Sequence, residues 1–191
     1  MTSELSTNGG VWGPRAEEKL ILVNEGDEAL GTATRAECHE GEGLLHRAFS
    51  VYLFDDLGRL MIHRRHDSKP LWPGFWSNSC CSHPRHGEDV LDAARRRTKE
   101  ELGLDIEPVP IHRYAYRAKY EDVGSEYELV HVFVARCDPD AIEPDPEEIA
   151  DLRLFDVEAM DGAIGEESIF TPWFRMAWPT VRDRWEKALA D

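Results

Sequence analysis

Apolar residues along this 191-residue chain fall into short runs broken by turn-forming residues. Lys19 to Asn24 (KLILVN) reads as a strand, Gly26-Asp27 as a turn and Ala29 to Ala33 as its hairpin partner. Leu45 to Phe54 (LHRAFSVYLF) is longer and rich in aromatic and β-branched residues, which suit a pleated, half-buried surface. The turn Asp55-Asp56-Leu57-Gly58 returns it into Leu60 to Arg65. Pro70 to Gly74 is a loop, and Phe75 to Ser82 is short and extended. Asp89 to Leu102 is the clearest helix. Asp89 and Asp92 resemble a capping pair, Val90, Ala94 and Thr98 line one stripe, and Gly103 suits the residue past the end. Strands follow near 111–120 and 126–136, then an acidic loop marked by Pro139, Pro144 and Pro146. Leu152 to Phe155 reads as a last strand, and Phe174 to Leu189 as a C-terminal helix that Trp178-Pro179 kinks or starts. This mixture predicts an α+β or α/β sandwich with one mixed central sheet flanked by helices. Residues 1–16 read as a mobile arm that folds back on a single domain spanning 17–191.

Hydrophobic residues make up 41% of the chain, enough for one core of ordinary size. Lys and Arg number 22 against 38 Asp and Glu, a formal net charge of −16. A nucleic-acid coat or an anionic-membrane binder needs a net basic footprint, so neither is expected as the main role. A small anionic substrate needs only a local basic pocket, and the distribution of charge leaves room for one. Residues 138–191 carry 15 acidic and five basic side chains, whereas Arg59 to Lys99 carries nine basic and four acidic. No stretch approaches the roughly 20 apolar residues of a membrane-spanning helix. Met1 to Gly13 has neither the basic nor the apolar region of a signal peptide. Cys38, Cys80, Cys81 and Cys137 form no CxxC pair and read as reduced thiols in a cytoplasmic protein. No heptad or long exposed apolar strand argues for an obligate oligomer, so a monomer is expected.

The tail of the clearest helix reads Arg95-Arg96-Arg97-Thr98-Lys99-Glu100-Glu101-Leu102-Gly103. Glu101 lies four residues after Arg97, so the two share a face. They read either as an ion pair or as a carboxylate that holds a hard cation beside a phosphate-binding Arg. Glu88, Arg96, Glu100-Glu101 and Gly103 fit the spacing of the Nudix box and resemble it, with Ser82 at its first Gly and Arg97 at one of its Glu positions. The loss of that Glu weighs against plain hydrolysis. Residues Trp72 to Pro84 (WPGFWSNSCCSHP) closely resemble the active-site signature of the type 1 isopentenyl-diphosphate delta-isomerases, a branch of that superfamily. Glu126-Tyr127-Glu128 resembles their ExE motif, His39 and His46 their upstream metal histidines, and Thr171-Pro172-Trp173 their SPW-like segment. The matches run in the family's order over roughly residues 20–180.

The resemblance implies a Nudix-like fold and interconversion of isopentenyl diphosphate and dimethylallyl diphosphate in isoprenoid biosynthesis. It implies Cys81 and Glu128 as the acid/base pair and Tyr116 as a hydrogen-bonding partner of the glutamate. It implies Arg35, Arg65, Lys69 and Arg97 as diphosphate ligands and Glu101 as the anchor of a Mg²⁺ that bridges the phosphates. Trp173 is then a stabiliser of a carbocation, because an indole face attracts positive charge; packing in the core is the plainer alternative.

The residues support a site without the family. His39, His46, His83, Glu126 and Glu128 make a three-imidazole, two-carboxylate set that suits Mn²⁺, or Zn²⁺ with expanded coordination. A spacing of two puts Glu126 and Glu128 on one face of a strand. On an extended segment Cys81 and His83 point one way and Cys80 the other, so Cys80 is expected to pack. His63, His66, His86, His112 and His131 read as surface or hydrogen-bonded histidines, and Arg64, Arg95 and Arg96 as surface or structural. The rival readings are a Nudix hydrolase of a nucleoside or isoprenoid diphosphate, and a binding module without turnover.

Overall fold

Nine strands and four α-helices follow one another in the computed structural model, which describes residues 10–13, 15–166 and 169–190. Strands β1 (Lys19–Val23) and β2 (Ala29–Thr34) form the expected antiparallel hairpin. A short helix α1 (Arg35–His39) follows directly. It was not expected, although Thr34 and Glu37 carry its signal. They form a capping box, in which each side chain bonds the other's backbone N–H.

Strand β3 (His46–Phe54) is the axis of the sheet. Along one edge it pairs in parallel with the whole of its length against β8 (Gly124–Arg136). Its other edge is shared by three strands in turn. His46 meets β1, residues 49–51 meet β6 (Cys80–Ser82), and Leu53 and Phe54 meet β4 (Leu60–Arg65). Strands β3 and β4 therefore pair only beside their turn and then part. The expected extended segment 75–82 is correspondingly two strands, because β5 (Trp76–Ser77) follows β4 while β6 follows β3. The link between them closes the fork. Ser79 Oγ accepts from Leu53 N at 2.8 Å and donates to Met61 O at 2.6 Å, replacing a ladder bond with a side chain. Asn78 Nδ2 donates to Val51 O and Cys80 O.

The long hairpin of β7 (Val109–Tyr120) and β8 extends the sheet, and β9 (Ile149–Phe155) pairs with β4. Strict alternation along β3 splits the core in two. Ala48, Tyr52 and Phe54 face one side with Val130, Val132 and Val134, whereas Phe49, Val51 and Leu53 face the other with Phe133 and Ala135.

Each face is covered by a helix. Helix α2 (Val90–Leu102) seats Ala93, Ala94 and Leu102 on the second face. Asp89 alone caps it, accepting from Leu91 N at 2.8 Å. Asp92 is too short to return the bond and pairs with Arg95 instead. Gly103 ends the helix at φ 73°, a left-handed conformation that Gly adopts without cost.

Helix α4 (Pro172–Ala188) covers the first face with Trp173, Phe174, Ala177, Trp178, Val181 and Trp185. It starts two residues before the expected Phe174, with Pro172 in its first turn, and it runs through Pro179. The buried stripe offsets the hydrogen bond that Pro179 cannot make. Each large side chain in it stabilises by about 1.5–3 kcal/mol, and Phe174→Ala would cost about 3–5 kcal/mol. Helix α3 (Val157–Glu166) was also unexpected; its Met160 is fully buried.

Candidate active site

The fork between β4 and β6 opens into a cavity of about 500 Å³. All the residues singled out for chemistry except His46 line it, and His46 lies directly behind.

Helix α1 supplies two of them. Arg35 and His39 are one turn apart, and His39 Nδ1 donates to the Arg35 carbonyl at 2.6 Å. His46 opens β3 and its Nδ1 donates to the Leu44 carbonyl at 2.7 Å. Carbonyls only accept, so both rings carry hydrogen on Nδ1 and leave the Nε2 lone pair free. The His39 lone pair faces Glu126 Oε2 at 3.0 Å, and that buried oxygen has no hydrogen-bonded partner among the described residues. His46 Nε2 faces His83 Nε2 at 3.1 Å, and His83 Nε2 lies 2.8 Å from Glu128 Oε1. One donor atom from each of His39, His46, His83, Glu126 and Glu128 lies within 4.8 Å of every other. Three imidazoles and two carboxylates that converge their donor atoms in a buried cluster offer a cation its ligands, so this donor set fits a divalent metal.

Register explains the convergence. Glu128 stands opposite His46 across the parallel β3–β8 ladder and opposite Tyr116 across the β7–β8 ladder. The Tyr116 hydroxyl donates to Glu128 Oε2 at 2.8 Å. Burial disfavours the Glu128 carboxylate, but the polar His46 and His39 rings beside it and the Tyr116 hydroxyl outweigh it and lower its pKa.

Cys81 pairs with Ser50, on the opposite edge of β3 from Glu128, and both side chains face the same side of the sheet. Burial pushes the Cys81 thiol up to about 12, against the pull of Arg65. Cys80 points to the other face, fully buried, with its Sγ 3.5 Å from Glu101 Oε2. Trp173 is buried at the start of α4 and fixed by its Nε1–H, which donates to Ser77 Oγ at 2.9 Å. The Arg65 guanidinium lies 5.3 Å from the centre of its ring. Arg65 is aimed by the Leu71 and Trp72 carbonyls, which accept its hydrogen bonds.

The remaining cations are already paired. Arg97 bonds Glu100 at 2.6 Å and Glu101 in the same helix, so the ion-pair alternative for Arg97 and Glu101 is present. Burial pushes Glu101 up, against the pull of Arg97. Arg35 bonds Glu18 at 3.2 Å, and Lys69 bonds Glu148. Arg64, Arg95 and Arg96 form ion pairs with Asp67, Glu107 and Glu88 and do not line the cavity.

Among the further residues that line the cavity, four bear on its chemistry. His63 reads in the sequence as a surface or hydrogen-bonded histidine, yet it is 4% exposed, it lines the cavity, and its Nδ1 has no partner among the described residues. Burial, helped by the charge of Arg65, holds its pKa down to about 4. Alternation along LMIHRR carries that signal, since His63 and Arg65 share a strand face. Glu148 has no local signal; its carbonyl accepts from His66 N at 3.1 Å, which brings the acidic loop to the end of β4. Trp12 and Arg15 come from the expected arm. Trp12 lies over the His39 ring at 5.7 Å and against Gly124, where a Cβ would meet the indole at 2.7 Å. The rest of that arm, residues 1–9 and 14, lies outside the described residues.

A family model for the NUDIX domain matches residues 44–174. Among curated proteins, isopentenyl-diphosphate Delta-isomerase 1 of Photorhabdus laumondii is 39% identical over 86% of this chain and 94% of its own. The isopentenyl-diphosphate Delta-isomerase of Burkholderia multivorans is 43% identical over 83% and 89%. Isopentenyl-diphosphate Delta-isomerase 1 of Bos taurus is 35% identical over 88% and 84%. Among solved structures, DR0079 from Deinococcus radiodurans has a TM-score of 0.70 at 22% identity, covering 85% of this chain and 98% of that one. Such a likeness speaks for the fold alone. With a matching domain over most of its length and relatives of this identity over nearly their whole length, the chain belongs to the isopentenyl-diphosphate Delta-isomerase family of NUDIX-domain proteins.

Proposed function

We propose that this protein interconverts isopentenyl diphosphate and dimethylallyl diphosphate in the cytoplasm, as a monomer, by adding one proton to the alkene and removing another. The observation that carries the reading is the flanking of β3 by Cys81 on one edge and Glu128 on the other, both on the face that opens into one cavity. Strands on either side of a third are about 10 Å apart, room for a small prenyl chain between two proton-transferring groups.

Moving an unactivated double bond requires a proton on the terminal methylene, which leaves a tertiary cation, and then loss of a proton from C2. Glu128 delivers the first, with Tyr116 relaying through its 2.8 Å hydrogen bond. The Cys81 sulfur takes the second as a thiolate: forward turnover starts once the thiol proton has passed to Glu128 and ends with carboxylate and thiol, and burial, which pushes the thiol up to about 12, makes the thiolate a strong acceptor. One proton enters and one leaves, so charge balances, and the reverse direction exchanges the roles. The Trp173 ring, held by Ser77, offers its face to the cation. Burial of the site keeps water from trapping that cation.

His39, His46, His83, Glu126 and Glu128 would hold Mn²⁺ or Zn²⁺, which when bound offsets the buried negative charge and tunes the acidity of Glu128. Glu101 would anchor Mg²⁺ on the diphosphate, and Arg35, Arg65, Lys69 and Arg97 bind its oxygens. The test is isomerisation of isopentenyl diphosphate in D₂O with Mg²⁺ and Mn²⁺ present. Movement of the double bond with deuterium incorporation and no phosphate release is expected. Phosphate release without isomerisation would instead make it a hydrolase, and binding without turnover a binding module.

A further inference from the structure

Three cations from separate segments converge on one carboxylate in the cavity wall. Lys69 bonds Glu148, Arg97 lies 3.3 Å from Glu148 Oε1, and Arg15 lies 3.8 Å from the same oxygen. All four residues line the cavity. The backbone anchors the segment from which the Glu148 side chain reaches in. Its carbonyl accepts from His66 N and its N–H donates to Asp145 O, both at 3.1 Å. Asp145 N in turn donates to Glu101 O at 2.9 Å, which ties the segment to the end of α2. Burial disfavours the carboxylate, yet Lys69 and Arg97 outweigh it and bring it down to about 2, so it is an anion at any working pH.

Arg15 is placed as firmly. Its guanidinium donates to both Glu18 oxygens at 3.1 and 3.0 Å, and Glu18 also accepts from Arg35. The Glu18 carbonyl accepts from Arg35 N at 2.8 Å and the Ala16 carbonyl from Ala36 N at 3.1 Å, which joins this segment to α1. Arg15 thus stands between Arg35 on one side and the Lys69–Glu148–Arg97 group on the other.

We propose that Arg15 is a fifth diphosphate-binding cation, and that Glu148 is a resident anion whose place among Arg15, Lys69 and Arg97 a substrate phosphate takes. The proposal rests on the diphosphate reading of this cavity. A carboxylate has two oxygens to share among three cations, one of which is also bound by Glu100 and Glu101. A phosphate offers three acceptor oxygens and more charge, so it matches the cradle better than the carboxylate it replaces. Arg15 holds Glu18 through Nε and Nη2 and touches Glu148 only through Nη1 at 3.8 Å, so a ligand oxygen can take that nitrogen without disturbing the Glu18 bonds.

The experiment is calorimetric titration of inorganic pyrophosphate into the purified metal-loaded protein, in Mg²⁺-free buffer. Arg15→Ala and Arg15→Gln should each weaken binding about tenfold, and Arg15→Lys should recover most of it. Glu148→Gln should tighten binding several-fold, because a competing anion is gone. Lys69→Ala is the control for the underlying reading. Weakening in Lys69→Ala with wild-type affinity in Arg15→Gln would overturn the inference and leave the diphosphate reading standing. Unchanged affinity in both would overturn the reading itself. Weaker binding in Glu148→Gln would make Glu148 a support for its neighbours and not a stand-in for phosphate.

Discussion

The Tyr116 hydroxyl reaches Glu128 Oε2 at 2.8 Å because the two residues face each other across the β7–β8 ladder. Glu128 Oε1 meanwhile lies 2.8 Å from His83 Nε2. One carboxylate therefore has one oxygen on a phenol and the other on the imidazole cluster. Sheet register, which a one-residue slip would destroy, holds the proposed proton donor between its relay and the metal donor set.

Tyr116→Phe removes the phenol while keeping its ring packing. The turnover number should fall about 10–100-fold while KM changes little, since the hydroxyl acts on the proton and not on the diphosphate. Steady-state isomerisation kinetics would show the split. A raised KM at unchanged turnover would make Tyr116 a binding residue.

Adjacent cysteines give a sharper contrast. Cys81→Ala should abolish isomerisation, because the C2 proton loses its acceptor. Cys80→Ala should keep activity and lose only about 1 kcal/mol of stability, as expected for removing a small buried group. Full activity in Cys81→Ala would remove the thiol from the mechanism.

Much of this arrangement is readable from local pattern. The alternation in Leu45 to Phe54, the two-residue spacings Glu126/Glu128 and Cys81/His83, and the Gly103 stop all act within one element, so period and turn chemistry reveal them. The fork between β4 and β6 is not readable that way. It depends on Ser79 bridging Leu53 and Met61, contacts 26 and 18 residues distant. Glu148 is hidden for the same reason: its acidic loop looks like solvated surface until pairing of β9 with β4 brings it beside Lys69. Helix α1 and His63 did carry local signals. A five-residue helix, however, spans too little chain for periodicity, and a lone His on a strand next to two Arg looks like surface.

Trp173 packs in the core and also faces the cavity, and substitution can separate the two roles. Trp173→Phe keeps an aromatic face, so it should lose less rate than Trp173→Leu, which keeps apolar bulk without one. A difference of about tenfold matches the worth of a desolvated cation–π contact. Equal losses in the two variants would point to packing alone.

His39→Ala takes away one of five donor atoms and leaves Glu126 Oε2 without the imidazole beside it. Metal analysis of the purified variant should find the tightly held transition ion depleted about 10–100-fold in affinity. Wild-type content would remove His39 from the site, whatever the activity.

His63 gives a prediction in acid. Its pKa is held down to about 4 in the folded protein, by burial first and then by the charge of Arg65. In the unfolded chain the ring titrates near an ordinary value of about 6.5. Between these values the unfolded state binds the extra proton, so this residue's contribution to stability is complete above about pH 6.5 and is lost as pH falls toward 4. From pH 7 to pH 5 the loss is about 2 kcal/mol. His63→Gln cannot titrate there, so urea unfolding of the variant should weaken by about 2 kcal/mol less than the wild type over that interval. The same decline in both proteins would mean that His63 is charged in the folded state, beside Arg65 and against the cavity.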